Sequence, residues 1–213
     1  MTTQTDYAYL FIKNRILEGT FKPAQKLNES QLSEDIGVSR NTIKKAFLML
    51  ESENLLKIEK NKGATIKSFT LEEILNYLEI RAVLEAVIIK STVKNITNEQ
   101  LKQLETTFNK MKEYIFNHQL EEYSKQNQLF HSIIYEASSN KQAVEIVNII
   151  KTQLNRYHFK TIFVPGRNDQ SLKEHTAIFN SIKNGNVEEA INSIQEHILN
   201  VGEVIKSNYL LLQ

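Results

Sequence analysis

The segment Ile36-Gly37-Val38-Ser39-Arg40-Asn41-Thr42-Ile43-Lys44-Lys45 decides how this chain is read. Gly37 ends one helical pattern, and Ser39, whose hydroxyl can accept from backbone N–H groups of the next turn, begins another. The short helix before the break starts at Asn28, has Gln31 three residues on, and carries Leu32 and Ile36 on its inner stripe. The longer helix after it buries Ile43, Ala46, Phe47 and Leu50. Two helices meeting across Gly37-Val38-Ser39 have helix-turn-helix spacing. Upstream, Tyr9, Ile12 and Ile16 recur at helical spacing until Gly19 and Pro23 stop them. Downstream, strand-like pieces at residues 55–58 and 64–66 flank Glu59-Lys60-Asn61-Lys62-Gly63, a basic hairpin tip that reads as a wing.

A helix placed in this way enters the major groove with its N-terminal residues at base edges, while flanking cations hold phosphates. Arg40 can fork onto a guanine and Asn41 can bridge an adenine; Lys44 and Lys45 project from the next turn as point charges. Ser39 and Thr42 suit phosphate contact, and Lys60 and Lys62, on the tip closed by Gly63, can reach phosphates or the minor groove. The bland alternative is a solvated helix face. Turn, cap, basic face and wing agree with one another, which favours DNA.

Composition sets the outer bounds. The 213 residues include no Cys and carry a net charge of +1. Without sulfur there is no disulfide scaffold, thiolate zinc site, iron–sulfur cluster or cysteine nucleophile, so any metal must sit on His and oxygen. No apolar run approaches the ~20 residues of a membrane span, and Met1 to Tyr7 is polar, so a soluble cytoplasmic protein is expected. Near-neutrality argues against nucleic acid only until charge is counted by segment. Residues 1–70 hold eleven Lys/Arg against eight Asp/Glu, and residues 71–213 hold fifteen against seventeen. The first part is basic and the second slightly acidic.

From Thr70 onward the pattern is helical. Starts are marked by Thr70 with Glu73, Thr97 with Gln100, Ser171 with Glu174 and Asn186 with Glu189. Six helices are expected near residues 71–94, 98–117, 120–137, 140–162, 171–183 and 187–211, with a loop at 163–169 around Pro165 and Gly166. The expected fold is mainly α: a winged helix-turn-helix domain over residues 1–69 and an all-α six-helix bundle over 70–213.

The stretch from Ile12 to Ile66, with Ile16-Leu17-Glu18-Gly19, Lys26-Leu27-Asn28-Glu29, Ile36-Gly37-Val38-Ser39-Arg40, Leu50-Glu51 and Gly63, resembles the winged helix of GntR-family transcription regulators. The helical remainder resembles the ligand-binding (FCD) domain of the FadR-like branch in its shorter, VanR-like version. The resemblance implies operator contacts by Arg40 and Lys44. Thr42 stands where Pro is common, Lys44 where Arg is usual and Lys45 where Glu is usual, so operator preference does not carry over.

Three of the five His lie on apolar helix faces: His131 with Asn127 and Ile134, His175 with Ile178, Phe179 and Ile182, and His197 with Ile194 and Val201. Singly, each reads as a satisfied core histidine; together they suggest a shared bundle site. The FadR-like resemblance implies a divalent metal held by an Asp-x-x-x-His pair and two later His, and three imidazoles make Zn or Ni the expected ion. Asn127, His131, His175 and His197 occupy those places, with Asn127 where the family carries Asp. An amide oxygen can ligate but brings no charge, which leaves more for an anionic effector to supply. Arg81 is a candidate for an effector carboxylate, or else for a surface or interface ion pair with Glu85; Arg156 and Tyr157 are weaker pocket candidates.

The expected function is a homodimeric repressor on an inverted-repeat operator, controlled by a small organic acid. A metal-responsive regulator without organic effector and, more remotely, a metal-dependent hydrolase are the alternatives. No phosphate loop, nucleophile elbow or HExxH supports an enzyme, because Glu174 and Glu196 directly precede the His they accompany.

Overall fold

The computed structural model describes residues 3–59 and 63–212. Wing-tip Lys60 and Lys62 lie outside the described residues. The chain divides into two compact units, Met1–Thr70 with Thr152–Arg156, and Leu71–Lys151 with Tyr157–Leu212. Among the described residues no helix is long and apolar enough to cross a membrane.

The first unit contains α1 (Gln4–Leu17), β1 (Lys26–Leu27), α2 (Glu29–Ile36), α3 (Arg40–Ser52), β2 (Leu56–Glu59) and β3 (Gly63–Ile66). Asn28 caps α2 by accepting from the N–H groups of Ser30 and Gln31, and Gly37 closes it in the left-handed region at φ 75°. Ser39 caps α3 by accepting from the Thr42 N–H. Ile12 and Ile16 of α1, Phe47 and Leu50 of α3, and Leu56 and Ile66 of the sheet share one apolar core. The hairpin is therefore anchored to the helix pair by burial, about 25 cal/mol for each Å² of apolar surface covered.

The sheet has the order β1-β3-β2, all antiparallel, with Lys26 opposite Thr65 and Leu56 opposite Ile66. The expected two-stranded wing thus gains a third strand. β1 is only Lys26–Leu27, too short for an alternating pattern to register in sequence. Its pairing places the Leu27 carbonyl 2.6 Å from where a Cβ on Gly63 would stand, and Gly63 has φ +86°. Gly63, expected among the DNA contacts, has a backbone role that no other residue fills without strain.

The second unit comprises α4 (Leu71–Asn95), α5 (Asn98–Phe116), α6 (Leu120–Ala137), α7 (Lys141–Thr161), α8 (Arg167–Lys183) and α9 (Val187–Leu212). A capping box between Thr97 and Gln100 starts α5, and Asn186 accepts from the Glu189 N–H ahead of α9. Ile88, Phe108, Phe130, Val147, Ile178 and Ile194 contribute to its core from six helices. The start of α8 differs from expectation. Gly166, left-handed at φ 76°, precedes Arg167, so the helix begins before Ser171. Ser171 is inside α8 and buried, and its hydroxyl is occupied by the Tyr123 hydroxyl at 2.7 Å rather than by capping.

Candidate functional sites: a DNA-facing helix and a buried histidine cluster

Arg40, Asn41, Lys44 and Lys45 are all exposed on α3, opposite the face formed by Ile43, Ala46, Phe47 and Leu50. Lys44 lies 3.7 Å from the Glu29 carboxylate, an exposed pair of little energetic weight. Ser39 is exposed, but Thr42 is not: its hydroxyl lies 2.8 Å from the Ser39 hydroxyl and the residue is 9% exposed. The phosphate role expected of Thr42 gives way to an internal cap, because helix geometry turns that position toward the core side.

The helical unit assembles a second site around His131 on α6, His175 on α8 and His197 on α9. A ligand nitrogen from each lies within 4.8 Å of the others, and all three residues are buried. His131 Nε2 and His175 Nε2 are 3.2 Å apart. That separation is close to the edge of a tetrahedron whose corners lie ~2 Å from a central zinc. His175 Nδ1 faces the Ser171 carbonyl at 2.6 Å and can bond it only as a donor, which leaves its Nε2 bare. His197 Nδ1 likewise donates to the Glu174 carboxylate at 2.7 Å, and its Nε2 is buried without a partner.

His131 Nδ1 and the side-chain oxygen of Asn127 are also buried and unpartnered. Three orphaned polar atoms in one place exceed what a satisfied core tolerates, since each costs about 1–3 kcal/mol. They match a site that takes a further group. Burial holds all three imidazoles neutral, pushing His175 down to about 3 and His131 and His197 well below their usual range. Their acceptors fix the tautomers of His175 and His197, whereas His131 Nδ1 lies 3.9 Å from a Glu85 oxygen, beyond hydrogen-bond reach.

Arg81 belongs to this region as a buried, not a surface, ion pair: its Nε donates to Glu85 at 2.6 Å, and the Tyr135 hydroxyl donates to the same oxygen at 2.8 Å. Tyr157 is buried at 2% exposure. The side chain of Arg156 lies outside the described residues.

Two family descriptions match the chain: the FCD domain over residues 76–200, and the gntR family of bacterial regulatory proteins over residues 4–66. The chain belongs to the FCD branch of the GntR family. It resembles the HTH-type transcriptional regulator YdhC of Bacillus subtilis, at 29% identity over 192 residues, covering 90% of this chain and 84% of the relative. It also resembles the HTH-type transcriptional repressor RspR of Escherichia coli K12, at 20% identity, covering 93% and 87% of the two chains. Among solved structures, E. coli McbR/YncC shares the fold at a TM-score of 0.81 and 19% identity, with 98% and 100% of the chains covered. As a GntR–FCD protein it is a DNA-binding transcription regulator and not an enzyme.

Sequence reasoning set Glu174 aside because it adjoins His175 and points away from it. In the GntR–FCD bundle it points at His197 on α9 instead, and it also accepts from Arg167 Nη2 at 2.9 Å and Asn200 Nδ2 at 3.0 Å. A trace of this was present in the pair His197 and Asn200, spaced i, i+3 and so able to meet one partner. Lys151 was missed entirely. Its ammonium lies 4.6 Å from the Tyr135 ring centre, and burial together with Arg81 brings it down to about 8.

Proposed function

We propose that this regulator is a homodimeric repressor whose binding to an inverted-repeat operator is controlled by a small carboxylate held through a divalent metal in the helical unit. The observation carrying this reading is the convergence of three neutral imidazoles, two with their outer nitrogens committed to acceptors. His131, His175 and His197 would hold the ion, Zn or Ni, with the Asn127 oxygen as a neutral fourth donor. A bound ion would supply positive charge that attracts a carboxylate. The chain's own residues do the rest: Ser171 and Glu174 fix tautomers, and burial excludes water.

On the DNA side, the exposed Arg40, Asn41, Lys44 and Lys45 of α3 support base and phosphate contacts, with Ser39 at the helix start. One α3 reads a half-site, so a two-fold pair is needed for an inverted repeat. The effector acts only as far as it binds one arrangement of that pair better than the other. The similarity to the repressor RspR supports repression. The test is metal analysis of protein prepared without chelator, followed by operator titration with and without a panel of small carboxylates. Bound zinc and a carboxylate-dependent change in operator affinity are expected; absence of metal even after zinc addition overturns the proposal.

A further inference from the structure

We infer that the cleft between β1, the start of α2 and α3 seats one phosphate of the DNA backbone, held jointly by Lys26 and Lys44, with Glu29 setting the charge of the seat. The inference rests on the DNA-facing reading of α3 given above and extends the contact surface beyond that helix. The cleft has a volume of about 400 Å³, and its lining includes Lys26 of β1, Glu29 and Ser30 of α2, Lys44 of α3 and Gly63 of β3. All of these belong to the winged unit. Lys26 stands on paired backbone: it lies opposite Thr65 of β3, and its neighbour Leu27 is buried, so strand alternation turns the lysine outward. The close approach of the Leu27 carbonyl to Gly63 holds β1 against the wing.

Two cations in this cleft face one carboxylate. Glu29 lies 3.7 Å from the Lys44 ammonium, and Lys26 makes no ion pair among the described residues. The sum is a single positive charge, which one phosphodiester neutralises. An ammonium carries three donors, so Lys44 can keep Glu29 and still donate to a phosphate oxygen, while Lys26 donates from the β1 side and Ser30 offers a hydroxyl. A phosphate gripped from both sides fixes how α3 sits on the duplex without reading any base. The carboxylate makes either lysine indispensable. Removing Lys26 or Lys44 leaves the cleft neutral, and neutralising Glu29 as well restores the single positive charge.

The experiment is fluorescence anisotropy of the full chain over a salt series, on a mixed-sequence duplex and on a duplex selected by the unaltered protein from a random library. Lys26 is exposed, so its substitution leaves the core intact. Lys26→Ala should lower the salt slope by about one for each bound subunit and weaken both duplexes about tenfold at about 0.1 M salt, leaving their ratio unchanged. Lys26→Arg should keep the slope. Lys26→Ala combined with Glu29→Gln should regain most of the lost slope and affinity. An unchanged slope in Lys26→Ala while Lys44→Ala lowers it overturns the seat and leaves the α3 reading standing; an unchanged slope in both overturns the phosphate role of α3 as well. A loss confined to the selected duplex would make Lys26 a base contact and overturn the seat. Absence of recovery with Glu29→Gln overturns the role given to Glu29.

Discussion

Glu174 on α8 receives the Nδ1 proton of His197 on α9 at 2.7 Å, and so sets which nitrogen of that imidazole is bare. The same carboxylate holds Arg167 and Asn200, which fixes its own orientation. Replacing Glu174 by Gln permits the amide to donate instead, shifting the proton to Nε2. Zinc affinity in that variant should fall about 10- to 100-fold, measured by chelator competition. An unchanged affinity would remove Glu174 from any positioning role.

The buried imidazoles also predict how metal-free protein responds to acid. Their folded values lie below the ordinary 6.5, so below that pH the unfolded chain binds protons that the folded chain does not. Stability is therefore intact above pH 6.5 and falls as acid is added, by up to about 1.4 kcal/mol per pH unit for each histidine, down to its folded value. Chemical denaturation across this range should show the decline, and His175→Gln should flatten it.

Lys151 is stabilised poorly where it stands. A fall from 10.5 to about 8 means that its charged form is disfavoured in the folded state. Lys151→Met keeps the length of the side chain and removes that charge, so the variant should be more stable by about 1–3 kcal/mol. Urea denaturation at neutral pH reads this directly. A destabilised variant would mean that the ammonium has a compensating acceptor.

Arg40 and Lys44 should separate in operator binding. Arg40→Ala removes a fork aimed at base edges and should cost about 1–3 kcal/mol on the operator with relaxed specificity. Lys44→Ala should weaken binding evenly across sequences and lower the salt slope by about one. Fluorescence anisotropy over a salt series distinguishes the two patterns.

Gly63→Ala should unsettle the winged unit, because the added Cβ would meet the Leu27 carbonyl at 2.6 Å in a left-handed backbone. A loss of about 1–3 kcal/mol is expected by thermal denaturation. Full stability in this variant would show that β1 can separate from β3 at little cost.

Local signals explain what was readable beforehand. Asn28, Gly37, Ser39 and the Thr97–Gln100 pair act within a few residues, so caps and turns were visible in the sequence. Helical periodicity likewise brought His131, His175 and His197 to inward faces. What stayed hidden depends on partners distant along the chain. β1 exists only through its pairing with β3, and Ser171 looked like a cap because Tyr123, its actual partner, is on α6. Glu174 acquires its meaning from α9, hinted at only by the spacing of His197 and Asn200, and Lys151 from Tyr135, a contact that no local spacing encodes.

The most direct test of control through the histidine cluster is operator affinity of the unaltered protein and of His175→Ala, each with zinc and carboxylate present and absent. The two proteins should bind operator equally without ligand, and only the unaltered protein should change its affinity when zinc and carboxylate are added. An equal response in His175→Ala would contradict control through this cluster.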